Sequence, residues 1–201
     1  MKKLIYLLLW MIVFTSCEKE KTPINDFGGY YRLYSIMAEK AVDVNNDGIQ
    51  SNNILHEYVS TIPKNFAYYN PNSFSNFAEI RPTIFQTGEA KLASFNFPVQ
   101  EISYVRNNEE TPELVAYIGR FMTFSYEVEK NGNIILSDSN PEFTERYGEI
   151  HSLKRNGTTS FDLDMTLNLF DFKTEKWIRT KAVASYQRVS DEEIRSIFER
   201  K

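Results

Sequence analysis

Over residues 161–169 the side chains alternate: Phe161, Leu163, Met165, Leu167 and Leu169 are apolar, and Asp162, Asp164, Thr166 and Asn168 between them are polar. Five apolar residues at a period of two cannot share one face of a helix. They demand a strand with one side in a core and the other in water. Asn156-Gly157 lies just before this stretch and supplies the positive φ angles of a two-residue hairpin turn, so an antiparallel partner is predicted. A second such pair, Asn131-Gly132, follows Met122, Phe124, Tyr126 and Val128 in the same alternation and precedes Ile134, Ile135 and Leu136. After a polar turn over 171–176, residues 177–189 are again β-prone. Residues from about 115 to 189 therefore read as an antiparallel meander of about five strands.

The first half is less regular but similar in kind. Residues 29–37 read as a strand, and 77–86 with 90–97 as a hairpin around Thr87-Gly88-Glu89. A sheet of about eight to ten strands from one chain is expected to curl into a barrel or a sandwich. Polar stretches with proline near Asn70-Pro71, over 109–113 and over 139–142 are expected to be loops. The chain has 201 residues, 42% of them hydrophobic and 14% aromatic, which suits one domain with a real core and excludes disorder. No repeat, heptad pattern or Gly/Ser-rich linker marks a second domain. One helix is predicted, over 190–200. Ser190 and Glu193 form a capping box, Val189 and Ile194 a hydrophobic staple, and Ile194, Ile197 and Phe198 line one face.

The N-terminus has a different logic. Lys2 and Lys3 precede eleven apolar residues, 4–14, and then Thr15, Ser16 and Cys17. A charged start, a short apolar core and small residues at the exit describe a secretory signal peptide. As a helix the apolar run would rise about 16 Å, too little to cross a ~30 Å hydrocarbon layer. Thr15-Ser16-Cys17 resembles a lipobox, the site at which bacterial lipoproteins are cleaved and acylated on cysteine, although Phe14 stands where leucine is commoner. An ordinary signal peptide would instead leave Cys17 as a lone thiol. Cleavage before Cys17 divides the chain into a signal peptide over 1–16, an acylated tether over 17–26 and a folded domain over 27–201. It also removes two lysines, which takes the net charge from −4 to −6. An acidic chain with no basic patch is not expected to bind nucleic acid.

With these elements in place, the chain resembles the lipocalin-like lipoproteins of Bacteroidetes-type bacteria. Gly28-Gly29-Tyr30 opens the first strand where lipocalins carry Gly, any residue, Trp, with Tyr30 in place of the tryptophan. Tyr186-Gln187-Arg188 ends the last strand as in that group, whose arginine would stack over the first-strand aromatic. Asp43-Val44-Asn45-Asn46-Asp47-Gly48, followed by residues 51–57, is similar to the group's Asp/Asn/Gly segment. The resemblance implies an all-β, antiparallel, lipocalin-like barrel with a C-terminal helix. It also implies attachment to the outer membrane through Cys17, on the periplasmic or cell-surface face.

The same segment is the one candidate metal site. In EF-hand loops, oxygen ligands stand at positions 1, 3, 5, 7 and 9, glycine at 6 and a carboxylate at 12. Asp43, Asn45, Asp47, Gly48, the carbonyl of Ile49 and Ser51 follow this spacing, but position 12 is Ile54. A short helical turn after Ser51 would bring Glu57 round to a Ca2+ ion. The alternative is an Asx-rich turn held by its own hydrogen bonds.

Catalytic patterns are scarce. His56 and His151 belong to no zinc spacing, and no Gly-x-Ser-x-Gly elbow or phosphate-binding glycine loop occurs. Asp162 and Asp164 read better as a solvated strand face than as a glycosidase pair. Tyr68, Tyr69, Phe74 and Phe77 could stack on a sugar, or anchor a loop. The expectation is a protein without enzymatic activity, and two roles stay open. One is a binding module for a small, partly apolar ligand in the barrel mouth; the other is a structural, protein-interaction or carbohydrate-binding component of the envelope. The size of the interior side chains distinguishes them.

Overall fold

The computed structural model describes residues 27–60, 70–81, 91–105, 108–129, 134–137 and 141–199; the side chains of residues 74 and 103–116 lie outside that description. Its strands in chain order are β1 (Gly29–Val42), β2 (Ser51–Asn53), β3 (Ala78–Arg81), β4 (Leu92–Val105), β5 (Asn108–Val128), β6 (Ile134–Ser137), β7 (Gly148–Asn156), β8 (Ser160–Asp171) and β9 (Lys176–Arg188). Among the described residues three α-helices, α1 (Ile54–Ser60), α2 (Pro141–Tyr147) and α3 (Asp191–Glu199), and a 3-10 turn at Phe74–Asn76 are interleaved with them. From β3 to β9 each strand pairs antiparallel with the next. Strand β1 then pairs with β9 on one edge and with β3 on the other. The result is a closed eight-stranded antiparallel barrel, with β2 as an extra strand beside β1 and α3 at the C-terminus.

The alternating residues of β8 point inward as their period requires, and all five are at most 5% exposed. Small residues face them from β9, with Leu163 opposite Ala184 and Met165 opposite Ala182, so large and small side chains share the barrel width. In β1 the pairing with β9 slips between Leu33 and Ser35. This bulge lets Tyr31 and Leu33 point inward and then Ile36 and Ala38, which breaks the period of two in the sequence.

Near the start of β1 the interior is an aromatic layer. Phe161 stacks on Tyr186 with ring centroids 4.7 Å apart and meets Tyr31 edge-on at 4.9 Å. Phe27 and Phe95 close on it at 5.8 and 6.0 Å, and the Tyr31 hydroxyl donates to the Phe27 carbonyl at 2.7 Å. At the other end the filling is polar. Gln100 of β4, buried, donates to the carbonyls of Val44 and Phe170 and accepts from the Phe170 N–H.

Several local expectations change. Residues 109–113, read as a loop, lie inside β5, whose backbone pairs with β4 as far as Val105 opposite Asn108. Pairing irregularities at Ser103–Val105 make room there for a proline, Pro112, that cannot donate to a ladder. Pro141, in the loop expected over 139–142, is instead the first residue of α2, where its missing N–H costs nothing. The Asn156-Gly157 turn has three residues rather than two, because Asn156 pairs with Ser160; Gly157 supplies the positive φ of 71°. Asn131-Gly132 and Thr87-Gly88-Glu89 fall outside the described residues, but their flanking strands pair antiparallel as expected. The C-terminal helix runs over Asp191–Glu199, with the Ser190 hydroxyl accepting from the Glu193 N–H. The Glu193 carboxylate pairs with Arg32 of β1 and so ties the helix to the barrel.

A charged cluster docks α2. Glu101 of β4 accepts from Arg120 of β5, from Arg146 at 2.6 Å and from the Tyr147 hydroxyl. Burial alone would raise the Glu101 carboxyl, but the Tyr147 and Arg120 hydrogen bonds and the Arg146 and Arg120 charges outweigh it and hold it below its ordinary value. The stability this supplies is present above the unfolded carboxyl's pKa and is lost as pH falls through the lower folded value. Glu101→Gln is therefore expected to lower the melting temperature at pH 7 and to flatten its decline below pH 4.5. A melting series from pH 7 to 3 checks this. Phe161→Ala, which opens the fully buried aromatic layer, is expected to cost about 3–5 kcal/mol in urea unfolding.

Candidate functional site

Strand β1 ends where its chain meets the β8–β9 turn, and that meeting fixes the acidic segment. Asp43 donates its N–H to Asp171 Oδ1 at 3.0 Å and accepts at its carbonyl from the Phe172 N–H at 2.9 Å. The carbonyl of Val44 accepts from Gln100 Nε2 at 3.2 Å and from the Tyr117 hydroxyl of β5. The two residues are 1% and 0% exposed, so the segment begins as part of the core.

Then the chain turns outward. Asn45 Oδ1 accepts from the Asp47 N–H at 3.0 Å and Asp47 Oδ1 accepts from the Ile49 N–H at 2.8 Å, two successive Asx turns. Asn46 and Gly48 adopt φ of 62° and 84°, the left-handed region that Asn and Gly enter most readily. The Gly48 N–H donates back to Asp43 Oδ2 at 3.0 Å and closes the loop over its own start.

Helix α1 brings the last residue. Asn53 Oδ1 accepts from the His56 N–H at 3.1 Å and caps the helix. Ile54, Leu55 and Tyr58 are buried, and the Tyr58 ring lies 5.3 Å from that of Tyr117. This packing turns Glu57, 4% exposed, toward the loop. One carboxylate oxygen from each of Asp43, Asp47 and Glu57 lies within 4.8 Å of the others. Two full charges at that separation repel by about 3 kcal/mol at an effective dielectric constant of about 20. Burial first, then the charges of Asp47 and Asp43, push the Glu57 carboxyl above its ordinary value. No lysine or arginine among the described residues pairs with Asp43 or Asp47.

Of the six residues that the sequence nominates for calcium, the fold thus gathers the carboxylates of Asp43, Asp47 and Glu57. Asn45 is occupied within the turn, its Nδ2 donating to Asp47 Oδ2 and to Ser60 Oγ. Ser51 Oγ accepts from the Asn53 N–H, and the Ile49 side chain is exposed. Asp171, Gln100 and Tyr117, which hold the loop from behind, carry no sequence signal of their own. Asp171 follows two buried residues at the point where the alternation of β8 fails.

The other nominated residues sit apart from this loop. Arg188 lies over the start of β1, its Nε 3.2 Å from where a β-carbon would stand on Gly29, whose φ is +145°. A glycine is required there for both reasons. Gly28, Tyr30 and Arg188 line one surface hollow with the start of α3. Phe77 is buried with the Arg32 guanidinium over its ring at 5.2 Å, a packing role; Tyr68, Tyr69 and the Phe74 side chain lie outside the described residues, as does Cys17. Asp162 accepts from Asn156 Nδ2 at 2.7 Å, Asp164 from Ser152 Oγ at 2.9 Å, and His151 bonds Thr166 Oγ1 at 2.7 Å. A cleft of about 420 Å3 opens near the acidic end of the barrel, lined by Gln100, Ile102, Arg146, Trp177, Ile178 and Arg179 among others.

No protein-family model, no curated protein and no solved structure matches this chain.

Asp171 Oδ2 also accepts from Gln50 Nε2 and Thr174 Oγ1, so one buried carboxylate holds the loop and the β8–β9 turn together. Asp171→Ala leaves the buried Asp43 N–H without its acceptor and is expected to cost about 2–3 kcal/mol in denaturant unfolding. Asp171→Asn, which keeps one carbonyl acceptor, is expected to cost less.

Proposed function

We propose that this chain is a lipid-anchored, extracytoplasmic barrel without enzymatic activity, which meets partners of the cell envelope with its outer surface and carries no ligand in its interior. The observation that carries this reading is the filling of the barrel. Tyr31, Phe95, Phe161 and Tyr186 occupy one end, Leu33, Ile36, Phe97 and Leu163 the middle, and Gln100 with Tyr117 the other end, all at most 5% exposed. Barrels that carry a ligand keep such positions open, and among the described residues the packed aromatic layer leaves no such room.

The anchor rests on the sequence. A short apolar run ending in Thr15-Ser16-Cys17 supports acylation of Cys17, and no described helix is long and apolar enough to cross a membrane. An outer-membrane lipoprotein on the periplasmic or cell-surface face fits this arrangement. The absence of enzymatic activity is supported by the commitments of Asp162, Asp164 and His151, each spent on a cross-strand or turn hydrogen bond.

One observation favours a second reading, a small ligand held at the barrel's rim. Trp177 is 50% exposed beside the cleft that Arg146 and Arg179 also line, a platform on which a sugar ring could stack.

Two measurements test the proposal. Cys17→Ala is expected to abolish incorporation of a labelled fatty acid and to move the protein out of the membrane fraction; unchanged labelling and fractionation would overturn the anchor. Native mass spectrometry of the intact lipoprotein is expected to show no stoichiometric small molecule. A retained ligand lost on Trp177→Ala would decide for the rim, and one lost on enlarging Ala184 of the interior would refute the filled barrel.

A further inference from the structure

Three carboxylates from three different places converge beside the acidic loop. Asp43 stands at the end of β1, Asp47 in the Asx turns and Glu57 on α1, each carboxylate offering an oxygen within 4.8 Å of the other two. Turn chemistry explains part of this. The Asx turns account for Asn45, for the Asp47 N–H and for the Gly48 N–H on Asp43 Oδ2. They do not account for Asp43 Oδ1, which is buried and receives no hydrogen bond among the described residues. A buried carboxylate oxygen without a donor is costly unless something positive meets it. Nor do the turns require that a helix from outside the loop add a third, buried carboxylate to the same spot.

We propose that Asp43, Asp47 and Glu57 bind a divalent cation, and that the cation is Ca2+. The donor set is oxygen alone, which suits a hard cation and disfavours zinc or copper. Oxygens up to 4.8 Å apart can be bridged by an ion that holds them at about 2.3–2.6 Å. Two carboxylates are buried and the third, Asp47, is exposed, so the site has a closed back and an open side from which an ion and its waters enter. The back is rigid. Asp43 is sewn to Asp171 and Phe172, and α1 is capped by Asn53 and packed through Ile54, Leu55 and Tyr58. The site departs from an EF-hand in its last ligand. The carboxylate that would stand at position 12 comes from Glu57, one turn into the helix that follows.

Tyr58 and Tyr117 supply the reporter. Tyr58 follows Glu57, and Tyr117 bonds the carbonyl of Val44 beside Asp43, so Tb3+ bound at this site is excited through tyrosine. The full-length chain in detergent, stripped with a chelator, is titrated with Tb3+ and with Ca2+. Sensitised Tb3+ emission is expected, reversed by Ca2+. The melting temperature is expected to rise by about 5–10 °C once Ca2+ exceeds its Kd about a hundredfold. Asp47→Asn, at an exposed position, should raise the melting temperature in chelator, because it relieves the carboxylate repulsion, and lose both responses. Asp164→Asn, an exposed carboxylate elsewhere, should keep them. If Asp47→Asn fails to fold, Glu57→Gln makes the same comparison. The proposal is overturned if the wild-type chain shows neither emission nor a Ca2+-dependent shift, or if Asp47→Asn keeps both. An equal shift from Mg2+ at the same concentration would overturn the assignment to calcium.

Discussion

Strand β1 is hydrogen-bonded along both of its edges, and the closed form of the molecule follows from that. On one side Tyr31 through Ala38 pairs with β9. On the other, the first residues pair with β3 and the last with β2. Without the β9 seam the remaining strands would form an open meander with two long unpaired edges, an arrangement prone to pairing with other chains. Closure also sets where the acidic loop and the C-terminal helix stand. The acidic loop begins where β1 runs out beside the β8–β9 turn. At the opposite end, α3 begins where β9 runs out, its entry held by the Val189 N–H on the Tyr30 carbonyl.

The fold was most legible where the hydrophobic period was clean. The alternation of β8, the β-prone run of β9 and the Ser190 cap before α3 all became the elements they describe, because each is decided by burial or backbone bonding within a few residues. It was least legible where a neighbour overrides local chemistry. The bulge at Leu33–Ser35 hides the inward face of β1, since its inward residues switch parity part-way along. The polar residues at 109–113 look like a loop in isolation. They extend β5 because β4 continues beside them.

The acidic site shows the same division. The spacing of Asp43, Asn45, Asp47 and Gly48 is a local property, and the Asx turns it forms follow from it. Glu57 joins only because α1 starts at Ile54 and packs its apolar face, which depends on Tyr117 from a strand about sixty residues away. Asn45 and Ser51 fit a ligand spacing equally well, yet one is spent within the turn and the other at the helix cap. Spacing alone does not separate an oxygen that joins the carboxylate cluster from one that holds the loop. The support from Asp171 is invisible in the sequence for a like reason, as a carboxylate in a polar turn usually faces water.

The length of β1 gives the molecule a polarity. Its fourteen residues extend about 46 Å along the strand, so Phe27 and Asp43 lie at opposite ends of the barrel. The chain enters at the aromatic end, next to α3, and the carboxylates gather at the far one. The acidic loop and the Trp177 cleft therefore share one end of the barrel, the end away from the chain's entry, so that whatever meets one stands beside the other.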